Sequence, residues 1–258
     1  LVALPALGPK NGGQGEHHKA QFLTTYLKQL GLRDIRQLPA VDHRVESGQR
    51  PNIAAVLPGR DTERTLWIIS HMDIVPTGDL SLWHTDPFTL YQDGDLLYGR
   101  GTEDNHHGLV SSLLAVKALL ETSTLPEQNI GLLFVSDEET GNDYGLDFLF
   151  REHRDIFGPR DRFLVPDFGA PDSDLVDVSE KGLMWLKITV VGKQCHGSTP
   201  EKGRNSLLAA SAAILALREL YDRFDRENRL FTPPHSTFEA TRKEENVPNI
   251  NTIPGRDV

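Results

Sequence analysis

The chain has 258 residues, 38% of them hydrophobic and 25% charged, an ordinary balance for folded domains that excludes intrinsic disorder. Its formal net charge of −10 excludes a general nucleic-acid binder, which carries a basic footprint, and no apolar run is long enough to span a membrane. Cys195 is the single cysteine, so there is no disulfide framework, and a reducing cytoplasm is the expected compartment.

Residues 10–15 are a polar, glycine-rich loop. Ala20, Leu23, Leu27 and Leu30 then recur at spacings of three and four, which predicts an amphipathic helix ended by Gly31 as a left-handed cap. A strand is expected at 52–57, closed by Pro58-Gly59, and a buried strand at 66–69 runs into His71 and Asp73. Residues 79–98 read as a loop-rich excursion containing Trp83, Pro87 and Phe88. Leu109, Leu113, Val116 and Leu120 predict a helix over 108–121. A second buried strand at 130–136 ends in Asp137-Glu138-Glu139, 144–154 reads as helix, and 162–165 as a third short strand. This alternation points to an α/β sheet with parallel strands. Near Asp177 the character changes. A β-branched, alternating stretch at 182–192 and a long helix at 207–221 suggest a separate α+β unit beginning around Val178. Residues 231–258 are proline-rich and loop-like, with a short strand at 249–253.

Four segments carry acid or histidine clusters. His71 and Asp73 lie two apart at a strand's carboxyl end, where open α/β sheets place ligands and where residues so spaced point to one side. A histidine held by a carboxylate is a usual metal-ligand arrangement, although this pair taken alone reads more simply as a polar strand end. Tyr98-Gly99-Arg100-Gly101-Thr102-Glu103-Asp104-Asn105 puts Asp104 at a helix start, where it is a ligand or a simple cap. Glu138 and Glu139 allow a division of labour, one binding metal and the other taking a proton; the alternative is a solvated acidic loop. Asp167, in Val165-Pro166-Asp167-Phe168-Gly169, is a ligand or part of a turn. Four such coincidences favour one site, and a histidine with several carboxylates suits zinc, cobalt or manganese.

In this order His71-Met72-Asp73, Gly99 to Asp104, Asp137 to Gly141 and Pro166-Asp167 resemble the motifs of metallopeptidase family 20. That family includes aminoacylases, acetylornithine deacetylase, succinyl-diaminopimelate desuccinylase, carboxypeptidase G and carnosine-type dipeptidases. The resemblance runs from about Pro5 to the end, is greatest to the desuccinylase and deacylase branch, and takes in Trp83 to Phe88 and Gly192 to Ser198. It implies an α/β zinc-hydrolase catalytic domain over 1–177, with a mixed, mainly parallel sheet flanked by helices. It also implies a partial α+β, ferredoxin-like dimerisation or lid domain over 178–258. Carried over by position, it implies two zinc ions, with cobalt or manganese as substitutes. His71 and Asp167 would bind the first, Glu139 the second, and Asp104 would bridge them. Asp73 would orient His71, and Glu138 would be the general base. His196 would hold the oxyanion in the partner subunit of a homodimer, and Asn251 would contact substrate. The implied activity is hydrolysis of the amide bond in a small N-acyl amino acid. The alternatives are an aminopeptidase or dipeptidase using the same site and, in another class, an inactive metal-binding or dimer-forming fragment.

The chain departs from the family pattern in three places. Asn105-His106-His107-Gly108 stands where the family continues with lysine and glycines, and these two histidines read as surface or supporting groups rather than ligands. The family's last ligand, a histidine, and its substrate-gripping arginine have no counterpart before Val258, so a fragment is expected. The first ion's ligands would be complete in it and the second ion's would not. His17, His18, His43, His84, His153 and His235 show no ligand spacing with one another.

Overall fold

The structure is a computed structural model that describes residues 1–169, 176–241 and 252–257. It divides into two compact units, Leu1–Leu175 and Val176–Val258. In the first unit the elements are α1 (His17–Gln29), β1 (Asp34–Gln37), β2 (Ala40–Val41), β3 (Gln49–Arg50), β4 (Ile53–Leu57), β5 (Asp61–His71), β6 (Tyr91–Asp93), β7 (Leu96–Tyr98), α2 (His107–Glu121), β8 (Gln128–Val135), α3 (Leu146–Glu152) and β9 (Arg162–Leu164).

The sheet has the order β1-β4-β8-β5-β9. Its β1–β4 and β4–β8 pairings are antiparallel, and its β8–β5 and β5–β9 pairings are parallel. The mixed sheet therefore becomes parallel where the histidine and acid segments emerge. Period-two alternation divides the strand side chains between two cores. Leu132 and Phe134 of β8, with Ile53, Ala55, Ile68 and Met72, pack under Leu23 and Leu27 of α1 and Leu109, Leu113 and Val116 of α2. Leu133 and Val135, with Ala54, Trp67 and Ile69, pack on the opposite face against Leu149 of α3. The outcome is a sheet with helices on both sides. Gly131 makes room for this, since a Cβ there would meet the Trp67 ring at 2.3 Å.

The predicted helix at 20–30 ends as its sequence implies. Gly31 has φ +94°, and the Leu32 amide bonds back to Leu27 O at 3.2 Å. Within the excursion at 79–98 the structure holds a hairpin, β6 with β7, turned at Gly94 with φ +59°. The Asp93-Gly94 pair is a hairpin signal, and exposed apolar side chains on both strands hide it from a burial pattern.

The second unit contains β10 (Val190–Val191), β11 (Cys195–His196), α4 (Ser206–Ala216), α5 (Glu219–Arg223), β12 (Thr252–Ile253) and β13 (Arg256–Asp257). Its strand pairs are β10–β13 and β11–β12, both antiparallel. Of the stretch expected to be extended at 182–192, only Val190–Val191 pairs. Leu183, Trp185 and Leu186 are exposed, and without a neighbouring strand among the described residues alternation alone makes no ladder. The predicted helix at 207–221 is two helices separated at Leu217 and Arg218.

Candidate metal centre

Register brings the site together. In the parallel pairings His71 lies opposite Val135, and Ile68 opposite Leu164, so the segments carrying Glu138 and Asp167 leave their strands at the edge where His71 ends β5. Ligands in open α/β sheets gather at such carboxyl ends. Asp104 arrives by a different route, in an irregular turn over Thr102–His106 where it and Asn105 leave helical geometry before α2 begins. Close packing of α2 on the segment after β9 makes the fourth junction. At Gly108 a Cβ would lie 2.0 Å from Pro166 O, and Asn105 Nδ2 donates to Pro166 O at 2.9 Å and to the Asp167 carboxylate.

His71 Nε2 lies 2.7 Å from Asp104 Oδ1, 3.6 Å from Asp167 Oδ1 and 4.0 Å from Glu138 Oε2. One ligand atom each from His71, Asp104 and Asp167 falls within a 4.8 Å cluster, the spacing at which one ion could touch all three. Glu139 is outside that trio. Its Oε1 is buried with no hydrogen-bond partner among the described residues.

Asp73 is fully buried and is not one of the trio. Its two carboxylate oxygens accept from the amides of Glu138 and Glu139, each at 3.1 Å. The His71 Nδ1 atom is 3.5 Å from Asp73 Oδ1, long for a hydrogen bond, and its nearer partner is the Asp73 backbone oxygen at 3.0 Å. With Nδ1 donating to that carbonyl, Nε2 is the nitrogen directed at the acids.

The electrostatics fit a cation. Burial opposes charge on His71, but the neighbouring carboxylates of Asp167, Asp73 and Glu138 outweigh it and hold the imidazole up at about 11. Burial, then the charge of Asp104, pushes Glu139 up to about 7, and burial also raises Glu138. The neighbouring His71 ring holds Asp167 below the usual carboxylate range. Acids crowded this closely retain protons until a positive charge relieves them, and a divalent ion does so more completely.

Two further sets of residues support the site. Glu16, Arg50 and Asp137 form a buried chain. Arg50 is fully buried against the Glu16 carboxylate, and its Nη1 is 3.4 Å from Asp137 Oδ1. Asp137, at φ +64°, accepts from Thr140 Oγ1 and the Tyr144 amide and so shapes the turn that presents Glu138 and Glu139. Lys19 and His106 form a second buried pair. Asp137 and His106 fall in the motif segments, but the motifs give no sign of Glu16, Lys19 and Arg50. The one available signal is that Glu16 and Lys19 fall on the apolar stripe of Ala20, Leu23 and Leu27, where a solvated charge has no place. His107 is exposed, with Nδ1 against Glu103 O.

The sequence profile of peptidase family M20/M25/M40 matches residues 67–248. The chain belongs to that family. An uncharacterized metallohydrolase of Methanocaldococcus jannaschii is 44% identical over 99% of this chain and 63% of its own length. A succinyl-diaminopimelate desuccinylase of Leptothrix cholodnii is 28% identical over 99% of this chain and 64% of its own length. This M20 chain thus spans less than two thirds of the curated relatives it matches. The M20 metallo-carboxypeptidase of Sulfolobus solfataricus has the same fold, with a TM-score of 0.65 at 18% identity over 99% of this chain and 67% of its own.

Two further residues expected to act in the site, His196 and Asn251, belong to the second unit. His196 is an exposed residue of the second unit whose Nδ1 accepts from the Ser198 amide at 3.1 Å, which leaves Nε2 as the protonated ring nitrogen. Asn251 lies outside the described residues.

Proposed function

We propose that this protein is a metal-dependent hydrolase that cuts the amide bond of a small N-acyl amino acid, with residues 1–177 as its catalytic domain. The observation that carries the reading is Glu138 Oε2 standing 4.0 Å from His71 Nε2, beside the trio that His71 forms with Asp104 and Asp167. That trio would hold one zinc ion, and Asp104 with Glu139 would hold part of a second ion's shell; cobalt or manganese suits the same donors. When bound, such a cation supplies Lewis acidity that polarises the scissile carbonyl and acidifies water.

Glu138 would take the proton of the attacking water at its carboxylate and return it to the leaving amine nitrogen. Burial that raises its proton affinity suits a group that must carry a proton rather than stay ionised. Asp73 would keep that carboxylate aimed by fixing the amides of Glu138 and Glu139. Residues 178–258 would serve as a dimerisation or lid domain. In the homodimer His196 would offer Nε2–H to the oxyanion in the partner's site, and Asn251 would contact substrate. The desuccinylases among the relatives support an acyl substrate, and the lone cysteine supports a cytoplasmic setting. No described helix is long and apolar enough to cross a membrane.

The test is a panel of N-acetyl and N-succinyl amino acids and dipeptides, offered with zinc or cobalt to the product of the complete gene. Metal-dependent turnover of the acyl substrates is expected. Preference for dipeptides would move the assignment to a dipeptidase, and turnover unaffected by a chelator would overturn it.

A further inference from the structure

Lys19 belongs to α1, yet its side chain ends beneath the site. The residue is 1% exposed, and its Nζ donates to Met72 O at 2.8 Å and to His106 Nε2 at 2.7 Å. Met72 is the residue between His71 and Asp73, and its own amide is fixed to Val135 O at 2.8 Å. His106 follows Asp104 by two residues, at the N-cap of α2, and is 5% exposed. Since its Nε2 accepts from Lys19, its proton is on Nδ1, which has no partner among the described residues. One ammonium group therefore ties α1 to both the end of β5 and the start of α2.

A buried ammonium is costly to desolvate, and its neighbours on α1 (Ala20, Leu23, Leu27) show that the same face accepts apolar side chains. The three elements it joins already share an apolar core, so holding the fold together does not require it. The geometry instead matches a constraint on two ligand-bearing backbones that leave the core at different places.

We propose that Lys19 is a positioning residue of the metal centre, its ammonium fixing the strand end that carries His71 and Asp73 relative to the turn that carries Asp104. Lys19 touches neither the ligand trio nor substrate; it acts through Met72 O and His106. The inference rests on the reading of His71, Asp104 and Asp167 as metal ligands.

The test is Lys19→Met, which keeps the unbranched stem, one atom shorter, and removes the charge. Zinc affinity, measured by competition with a chromophoric chelator, is expected to fall about 10–100-fold, the range for groups that orient ligands, and the visible bands of the cobalt form are expected to shift. Unchanged affinity and spectrum, with only a lower urea midpoint, would assign Lys19 to the core alone and overturn the proposal. Should Lys19→Met not fold, Lys19→Met/His106→Leu, which replaces the pair by apolar groups, is read the same way. If the unaltered chain binds neither metal, the ligand assignment fails, and amide exchange of the metal-free chain decides about Lys19 separately. The Glu138 and Glu139 amides, both bonded to Asp73, are expected to exchange at least about tenfold faster in Lys19→Met while Leu132 and Leu133 keep their rates. Equal acceleration in both regions, or none, would sink the proposal.

Discussion

The Asp73 carboxylate accepts the amide of Glu138 at 3.1 Å, so the strand end that carries His71 also fixes the turn that carries the proposed general base. Its other oxygen does the same for Glu139, and this buried carboxylate coordinates two segments of the site without entering the ligand trio. Replacing one oxygen by an amide sets an N–H against an N–H. Asp73→Asn is therefore expected to lower zinc affinity by about 10–100-fold, the range for groups that orient ligands. Competition titration checks this, and an unchanged affinity would show that the turn holds its shape unaided.

Glu138→Gln keeps the side chain's size and removes its ability to take a proton. Turnover is expected to fall by about 10²–10⁴, with the metal content unchanged. Elemental analysis alongside kcat separates the outcomes: loss of metal together with turnover would make Glu138 a ligand.

The metal-free chain has a pH dependence whose sign follows from His71. Its proton affinity is raised in the fold, from 6.5 to about 11, so the folded state binds more protons than the unfolded state above pH 6.5. Stability from this source is complete below 6.5 and is lost as pH rises towards 11. Between pH 6.5 and 8 Glu139, raised to about 7, acts in the same direction. Lys19, which burial lowers to about 8, and His106, which burial lowers to about 3, contribute mainly outside that window. In the presence of a chelator the melting temperature is expected to fall from pH 6.5 to 8. Zinc should reverse the trend, since metal binding displaces these protons. A shallower fall in His71→Asn would locate the effect, and a rising profile in the unaltered chain would contradict the sign.

At Gly108 a Cβ would stand 2.0 Å from a backbone oxygen, that of Pro166, and neither can yield without moving α2 or the Asp167 segment. Gly108→Ala is expected to cost about 1–3 kcal/mol, as overpacking does, and to weaken zinc binding as Asp167 shifts. Urea unfolding and the competition titration read the two effects; loss of stability with intact affinity would mean that α2 alone gives way.

Arg50→Met leaves Glu16 and Asp137 buried without their cation. Breaking a buried pair from one side costs about 3–5 kcal/mol, so the variant is expected to unfold at clearly lower urea. A loss below about 1 kcal/mol would show that water reaches Glu16.

Much of the fold was legible because its signals are local. Strand β4 and the apolar stretches at 66–69 of β5 and 130–135 of β8 are short runs of strand type, although the polar start of β5 at 61–65 carries no such signal, and α1 and α2 carry three- and four-residue apolar spacing. The hairpin of β6 and β7 and the break in the helix after Ala216 were not legible, because an exposed ribbon has no burial pattern and an apolar helix reads continuously through a kink.

The sequence by itself determined the chemistry available to the site, a histidine and acids closing consecutive segments in a family-like order, since residue type and order are properties of the chain. Only the tertiary structure decided the distances. The parallel register of β5 with β8 and β9 drew His71 and Asp167 together, and Gly108 let the turn carrying Asp104 close on them. It also decided that the Asp73 carboxylate holds the amides of Glu138 and Glu139, and that Lys19 and Arg50, ordinary surface charges by composition, are buried beneath the site. A charge is buried or exposed by what folds over it, and those segments lie far away in the chain.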